Sequence, residues 1–183
     1  TANIDGVTNN ARILKPGGET TVLIDVARAM WSGFYVGGTE HDDIFNISTA
    51  DDGWLGVRGN AGDDTFNIAD HNGTVRVDYR GGSSGIVADL AAGTVQDGFG
   101  GTDTITGIGN DGQFELRGTD HADMIVGSAA DERFILRQGN DTLDGGAGFD
   151  IVRYDRSNVG PVNVDLETGT ATGTWDSVAF THS

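Results

Sequence analysis

Residues 118–153 read GTDHADMIVGSAADERFILRQGNDTLDGGAGFDIVR and divide without a gap into four units of nine. The units are GTDHADMIV, GSAADERFI, LRQGNDTLD and GGAGFDIVR. Their sixth places hold Asp123, Glu132, Asp141 and Asp150, and their eighth places hold Ile125, Phe134, Leu143 and Val152. A period of nine is too short for a helical repeat and too long for one pleat alternation. It fits a short strand followed by a tight turn. Glycine at the first, second or fourth place allows backbone angles that a side chain resists. The large apolar residue at the eighth place then points inward. A strand of about three residues does not stand alone, but stacked copies enclose a continuous core between two thin sheets. Successive units fall on alternate sheets, so residues eighteen apart stack, bringing Asp123 to Asp141 and Glu132 to Asp150.

Working outward, the same period recurs at 38–46 (GTEHDDIFN) and 59–67 (GNAGDDTFN), with Asp43 and Asp64 sixth and Phe45 and Phe66 eighth. Between them, 47–55 keeps the phase with Asp52 and Trp54, and three extra residues, Gly56 to Arg58, precede the next unit. Residues 98–106 form an isolated unit with Asp103 and Ile105; 109–117 keeps the phase with Leu116, but Phe114 takes the acid's place. A longer repeat lies over the short one. GTEHDDIF at 38–45 matches GTDHADMI at 118–125, VADLAAGTV at 87–95 matches NVDLETGTA at 163–171, and Tyr79 and Tyr154 precede the latter pair. The expected organisation is an N-terminal lead and capping strand over 1–33, a degraded repeat module over 34–108, and a second module over 109–183 whose core is the run 118–153. The predicted fold is all-β: short strands stacked in two thin sheets, with flanking antiparallel or hairpin-like strands.

Composition agrees with this reading. The 183 residues include 30 glycines and 28 acids against 11 Lys and Arg, a formal net charge of -17. Asp and Gly in this excess favour turns over helices. A chain this acidic lacks the basic footprint that nucleic acid requires. It has no cysteine, hence no disulfide framework, thiolate nucleophile or Cys-based zinc site. No apolar run approaches a transmembrane span, and no basic segment followed by an apolar core marks an export signal at the N-terminus. Carboxylates and turn carbonyls that together offer six or more oxygens describe a calcium site; magnesium prefers retained water and a stricter octahedron.

The units resemble the glycine- and aspartate-rich nonapeptides of the RTX, or hemolysin-type, calcium-binding repeats. Residues 145–153 fit that pattern at every specified place, and Gly139, Asp141 and Leu143 match the second half of another unit. The tyrosine and "DL…GT" segments resemble the spacers that punctuate these repeats in large secreted bacterial proteins. The resemblance implies a parallel β-roll with its core at 118–153, type I secretion to the medium or cell surface, and folding triggered by several calcium ions outside the cell. It implies metal ligands at Asp43, Asp64, Asp123, Glu132, Asp141 and Asp150, with the turn glycines Gly139, Gly146 and Gly148. The departures are His41 and His121 at the fourth place, Thr39, Asn60, Thr119 and Ser128 at the second, and Glu132 for Asp. Fewer sites should form than units. Asp123/Asp141 and Glu132/Asp150 are the favoured pairs, followed by Asp43/Asp64.

The remaining constellations point away from catalysis. No His-Glu-x-x-His is present. Gly81 to Gly85 spells G-x-S-x-G, but a strand-like IVADL follows where the elbow needs a helix. His41 and His121 suit turn residues or a second ligand set. Trp31, Phe34, Tyr35 and Trp54 suit a cap on the roll or a carbohydrate platform. Residues 175–180 suit a terminal strand or part of a secretion signal. No enzyme is expected. The alternatives to a calcium-binding repeat domain are a carbohydrate-binding accessory module of a polysaccharide-modifying enzyme and an adhesin segment. Their partner would be a polysaccharide or cell-surface glycan, met by an arginine row such as Arg58, Arg76, Arg137 and Arg153.

Overall fold

A computed structural model describes residues 20–25, 34–49, 53–110 and 112–183. The turn at 15–18, Trp31 and Asp52 lie outside the described residues. Among those described there is no helix, and the chain is all-β. In chain order the strands are β1 (Thr20–Asp25), β2 (Phe34–Gly37), β3 (Asp43–Thr49), β4 (Trp54–Arg58), β5 (Thr65–His71), β6 (Thr74–Asp78), β7 (Val87–Asp89), β8 (Thr94–Gln96) and β9 (Thr102–Thr106). They continue as β10 (Gln113–Arg117), β11 (Met124–Val126), β12 (Glu132–Ile135), β13 (Thr142–Asp144), β14 (Ile151–Val152), β15 (Asn163–Asp165), β16 (Thr170–Trp175) and β17 (Val178–His182).

Two sheets form the roll. One runs β1-β3-β5-β9-β8-β7-β11-β13 and the other β14-β12-β10-β6-β4-β2. From β2 to β6, and again from β10 to β14, successive strands alternate between the sheets, as a turn every nine residues requires. Neighbours within a sheet pair in parallel. The β10/β12 and β11/β13 partners are eighteen residues apart, as in Phe114↔Glu132 and Met124↔Thr142. In the β3/β5 pair the spacing widens to twenty-one (Phe45↔Phe66), the three extra residues being Gly56 to Arg58. Across β5/β9 and β6/β10 it becomes thirty-nine, as in Phe66↔Ile105 and Val75↔Phe114. The surplus is the β7–β8 hairpin, which enters the first sheet between β9 and β11. β8 runs against both of its neighbours, while every other pairing in the two sheets is parallel.

Most units contribute their eighth-place residue to the interior; the exceptions are Trp54, which lies under Arg76 while Leu55 enters the core in its place, and Val152, which is 36% exposed at the end of the roll. Phe45, Phe66, Ile105 and Ile125 are buried on the first sheet, with Leu55, Val57, Val75, Val77, Phe114, Leu116 and Phe134 facing them from the second. Phe45 and Phe66 stack with ring centres 4.9 Å apart and planes 6° from parallel. One core runs without interruption from Val36 to Leu136. The third sheet, the antiparallel meander β15-β16-β17, packs Trp175 and Phe180 on the outward-facing Ile135. Its strands begin 76 residues after β7, β8 and β9 respectively. The expected terminal strand at 175–180 is thus the turn between β16 and β17 and part of both strands.

Phe66 supports Phe45 on one side and Ile105 on the other. Phe66→Ala should lower stability by about 3–5 kcal/mol through lost burial and a residual cavity. Urea unfolding followed by circular dichroism measures it.

Candidate functional site

At four sixth places, Asp43, Asp64, Asp123 and Glu132, and at Ile86, the main-chain N–H is accepted by the sixth-place carboxylate of the next stacked unit on the same sheet. Asp43 N–H donates to Asp64 Oδ1 at 2.8 Å, and Asp64 N–H donates to Asp103 Oδ1 at 2.9 Å. Further along, Ile86 N–H donates to Asp123 Oδ1 and Asp123 N–H to Asp141 Oδ1, both at 2.8 Å. On the second sheet Glu132 N–H donates to Asp150 Oδ1 at 3.0 Å. The structure therefore brings together all three sequence-predicted pairs, and it makes each a donor and acceptor in a ladder.

Where glycine holds the first place, the acid of its unit folds back over it. A methyl group at Gly59 would overlap Asp64 Oδ2, one at Gly118 would overlap Asp123 Oδ2, and one at Gly145 would press on Asp150 Oδ2. Gly139, Gly146 and Gly148 have φ of +114°, +84° and +111°, and each lies against carbonyl-bearing backbone of the preceding stacked turn, at His121, Ser128 and Ala130. The departures at the second place have a role of their own. Thr39 and Thr119 donate both N–H and hydroxyl to Asp43 and Asp123, and Ser128 does the same to Glu132. Asp123 thereby has both oxygens partnered. Other buried acid oxygens have no partner: Asp43 Oδ1, Asp64 Oδ2, Asp97 Oδ2, Asp103 Oδ2 and Glu132 Oε2.

Asp97 and Asp103 are site residues absent from the ligand set expected from the sequence. Asp97 precedes its unit, and its Oδ1 accepts N–H groups from Phe99, Gly100 and Gly101. Asp103 stands in a visible unit, but thirty-nine residues from Asp64 is no multiple of nine. Burial pushes Asp103 up to about 8 and Asp64 up to about 7, against the ladder N–H donors, with neighbouring carboxylates adding to the rise. Asp123 is pushed up to about 6, again chiefly by burial. Burial also raises Glu132. In the second half His182 takes the place that Asp103 has in the first. Its Nε2 lies 3.0 Å from Asp141 Oδ2, and its Nδ1 shares a 2.9 Å hydrogen bond with the Tyr154 hydroxyl. Tyr79 lies correspondingly beside Asp103.

The outer face of the second sheet holds the opposite chemistry. Arg58, Arg80 and Arg117 surround buried Asp78 at 3.5–3.7 Å, and Tyr35 donates to it. Arg76, Arg153 and Arg156 surround buried Glu115. Arg137 pairs with Asp120 and lies over Trp175. The arginines named for a glycan-binding row are thus engaged with acids. Tyr35 and Trp54 lie under Arg58 and Arg76. Ser83 and Ser84 donate to Gly98 O.

The ladder fits a hard cation in its donor chemistry. It offers unpartnered carboxylate oxygens beside turn carbonyls, with glycine where a side chain would close the space. Among the described residues no group of three or more His, Asp or Glu side chains forms a ready-made metal cage. Main-chain oxygens must therefore supply much of any coordination shell. No family model and no curated protein matches the chain.

Two outcomes follow from the buried acids. Their folded-state values exceed the ordinary 3.8, so between about pH 4 and pH 8 the folded chain binds more protons than the unfolded one, and stability falls as pH rises. In a chelating buffer the thermal midpoint should drop by about 5 °C or more between pH 5 and pH 8; a flat or rising profile would contradict the burial of these groups. Gly59→Ala should unfold the neighbouring turns, whereas Gly37→Ala, which meets nothing within 4 Å, should be near neutral. Hydrogen exchange at β3 and β5 distinguishes the two.

Proposed function

We propose that the chain is a calcium-binding repeat domain of a secreted or cell-surface bacterial protein, one that compacts when calcium binds outside the cell. The supporting observation is the row of buried, unpartnered acid oxygens along the turns. Desolvated carboxylates held close together are costly unless neutralised by protons or a cation. Above neutral pH a cation is the alternative to protonation, and a divalent ion bound by carboxylates and carbonyls supplies folding free energy. The residues that would hold it are Asp43, Asp64, Asp97 and Asp103 in the first half, and Glu132, Asp141 and Asp150 in the second. Asp123 has the weakest claim, because Thr119 and two main-chain N–H groups already satisfy it. Oxygen-only donors on flexible turns favour calcium over magnesium. Secretion and a bacterial source rest on the resemblance of the nonapeptide units. The arginines committed to Asp78 and Glu115 lend no support to a glycan-binding face.

Far-UV circular dichroism after chelation, with calcium and then magnesium added back, tests this. Calcium at about 0.1–1 mM should increase the β signal and raise the thermal midpoint, and magnesium should do neither to the same extent. Asp64→Asn with Asp103→Asn should blunt the response. A chain fully folded in chelator and unchanged by calcium would sink the proposal.

A further inference from the structure

The two meanders differ in what lies beyond them. β7 has β11 on its outer side, with Val87 opposite Met124, Ala88 opposite Ile125 and Asp89 opposite Val126. Met124 N–H donates to Ile86 O and Leu90 N–H donates to Val126 O, which closes the junction at both ends. Ile125 enters the core there. β15 stands at the corresponding place 76 residues later, and it is the edge of its sheet. The meander is joined to the roll on its other side, where Ser183 N–H donates to Asp141 O and Leu143 N–H donates to Ser183 O. It therefore extends from β13 as β9-β8-β7 extends from β5.

Exposure separates the two copies. Ala88 and Leu90 are 2% and 4% exposed, whereas their counterparts Val164 and Leu166 are 54% and 91% exposed. Behind them opens a cleft of about 360 Å³, lined by Leu136, Leu143, Val152, Val164 and Leu166, with His182 also on its wall. It is the open end of the roll interior. An apolar sheet edge of this kind is a template for strand addition.

We propose that the outer edge of β15 docks a parallel β-strand of a further nine-residue repeat unit, supplied by polypeptide outside these 183 residues. By the geometry of β11 on β7, the incoming strand donates an N–H to Val162 O and accepts the Leu166 N–H. Its eighth-place aliphatic side chain enters the cleft beside Leu143 and Val152. Val164 and Leu166 then acquire the burial that Ala88 and Leu90 have. The inference rests on the pseudo-repeat of the fold and does not depend on the metal.

A labelled synthetic peptide of residues 118–135 is a suitable probe, titrated with the full chain and followed by fluorescence anisotropy. Saturable binding is expected, weakened at least about tenfold when Val164→Asp and Leu166→Asp are combined in the chain. Ile125→Asp in the peptide should weaken it similarly. Since Val164 and Leu166 are exposed, the double variant should keep the parent's circular dichroism and melting. Absent binding, or binding indifferent to both sets of changes, would overturn the proposal. So would sedimentation showing that the chain self-associates through this edge while the peptide stays free, because a second copy would then be the occupant.

Discussion

A main-chain N–H that enters a buried strand without a ladder partner must find an acceptor, and here the acceptor is a carboxylate one stacked unit away. Asp64 accepts from Asp43 and donates to Asp103; Asp123 accepts from Ile86 and donates to Asp141. Each of these two acids is therefore fixed from both directions. The acid must be short to reach back over its own turn, which explains the dominance of aspartate. Where glutamate stands, at Glu132, a serine hydroxyl helps hold it. Most of these turns also carry no side chain at the first place; Leu136 is the exception, and its side chain joins the core. The glycine excess and the aspartate excess are two sides of one steric arrangement.

The formal charge of -17 conceals a sorting of the ions. Six of the eleven basic residues converge on just two acids, Asp78 and Glu115, on the outside of the second sheet. The acids of the ladder face the opposite situation, with His182 alone among the basic side chains of the described residues lying against one of them. The outer face of one sheet is thus held by paired ions, whereas the ladder acids are met mainly by main-chain N–H and hydroxyl donors. Removing a charged pair partner from either place leaves a buried ion unsatisfied, a much larger loss than at an exposed pair.

The period of nine was legible because it places the same chemistry at the same spot each time. Asp43, Asp64, Asp123, Asp141, Phe45, Phe66, Ile125 and Phe134 all occupy the positions their spacing implies. The hairpin-like character of VADLAAGTV was legible too. Its insertion into the first sheet was not, since the β5/β9 spacing of thirty-nine depends on where the β7–β8 hairpin docks. The arginine clusters have no period, as outward-facing residues of a roll follow no interior constraint. The role of His182 is hidden in the sequence because β16 is longer than β8, and the tight turn at Asp176 and Ser177 shifts the register of β16 and β17 by three residues relative to the first meander. The value of threonine at the second place was likewise hidden. In the pattern it is a missing glycine, and in the fold it is a hydroxyl donated to the acid of its own unit.

The alternation of units between two unlike sheets has a consequence for how such a chain can change length. Removing one nine-residue unit from the run 118–153 would exchange the sheet assignment of every strand that follows, carrying residues suited to the arginine-covered face onto the other one. Removing two would restore it. Insertions and deletions in this molecule are therefore subject to a parity rule, and eighteen residues, rather than nine, is the smallest step that preserves both of its surfaces.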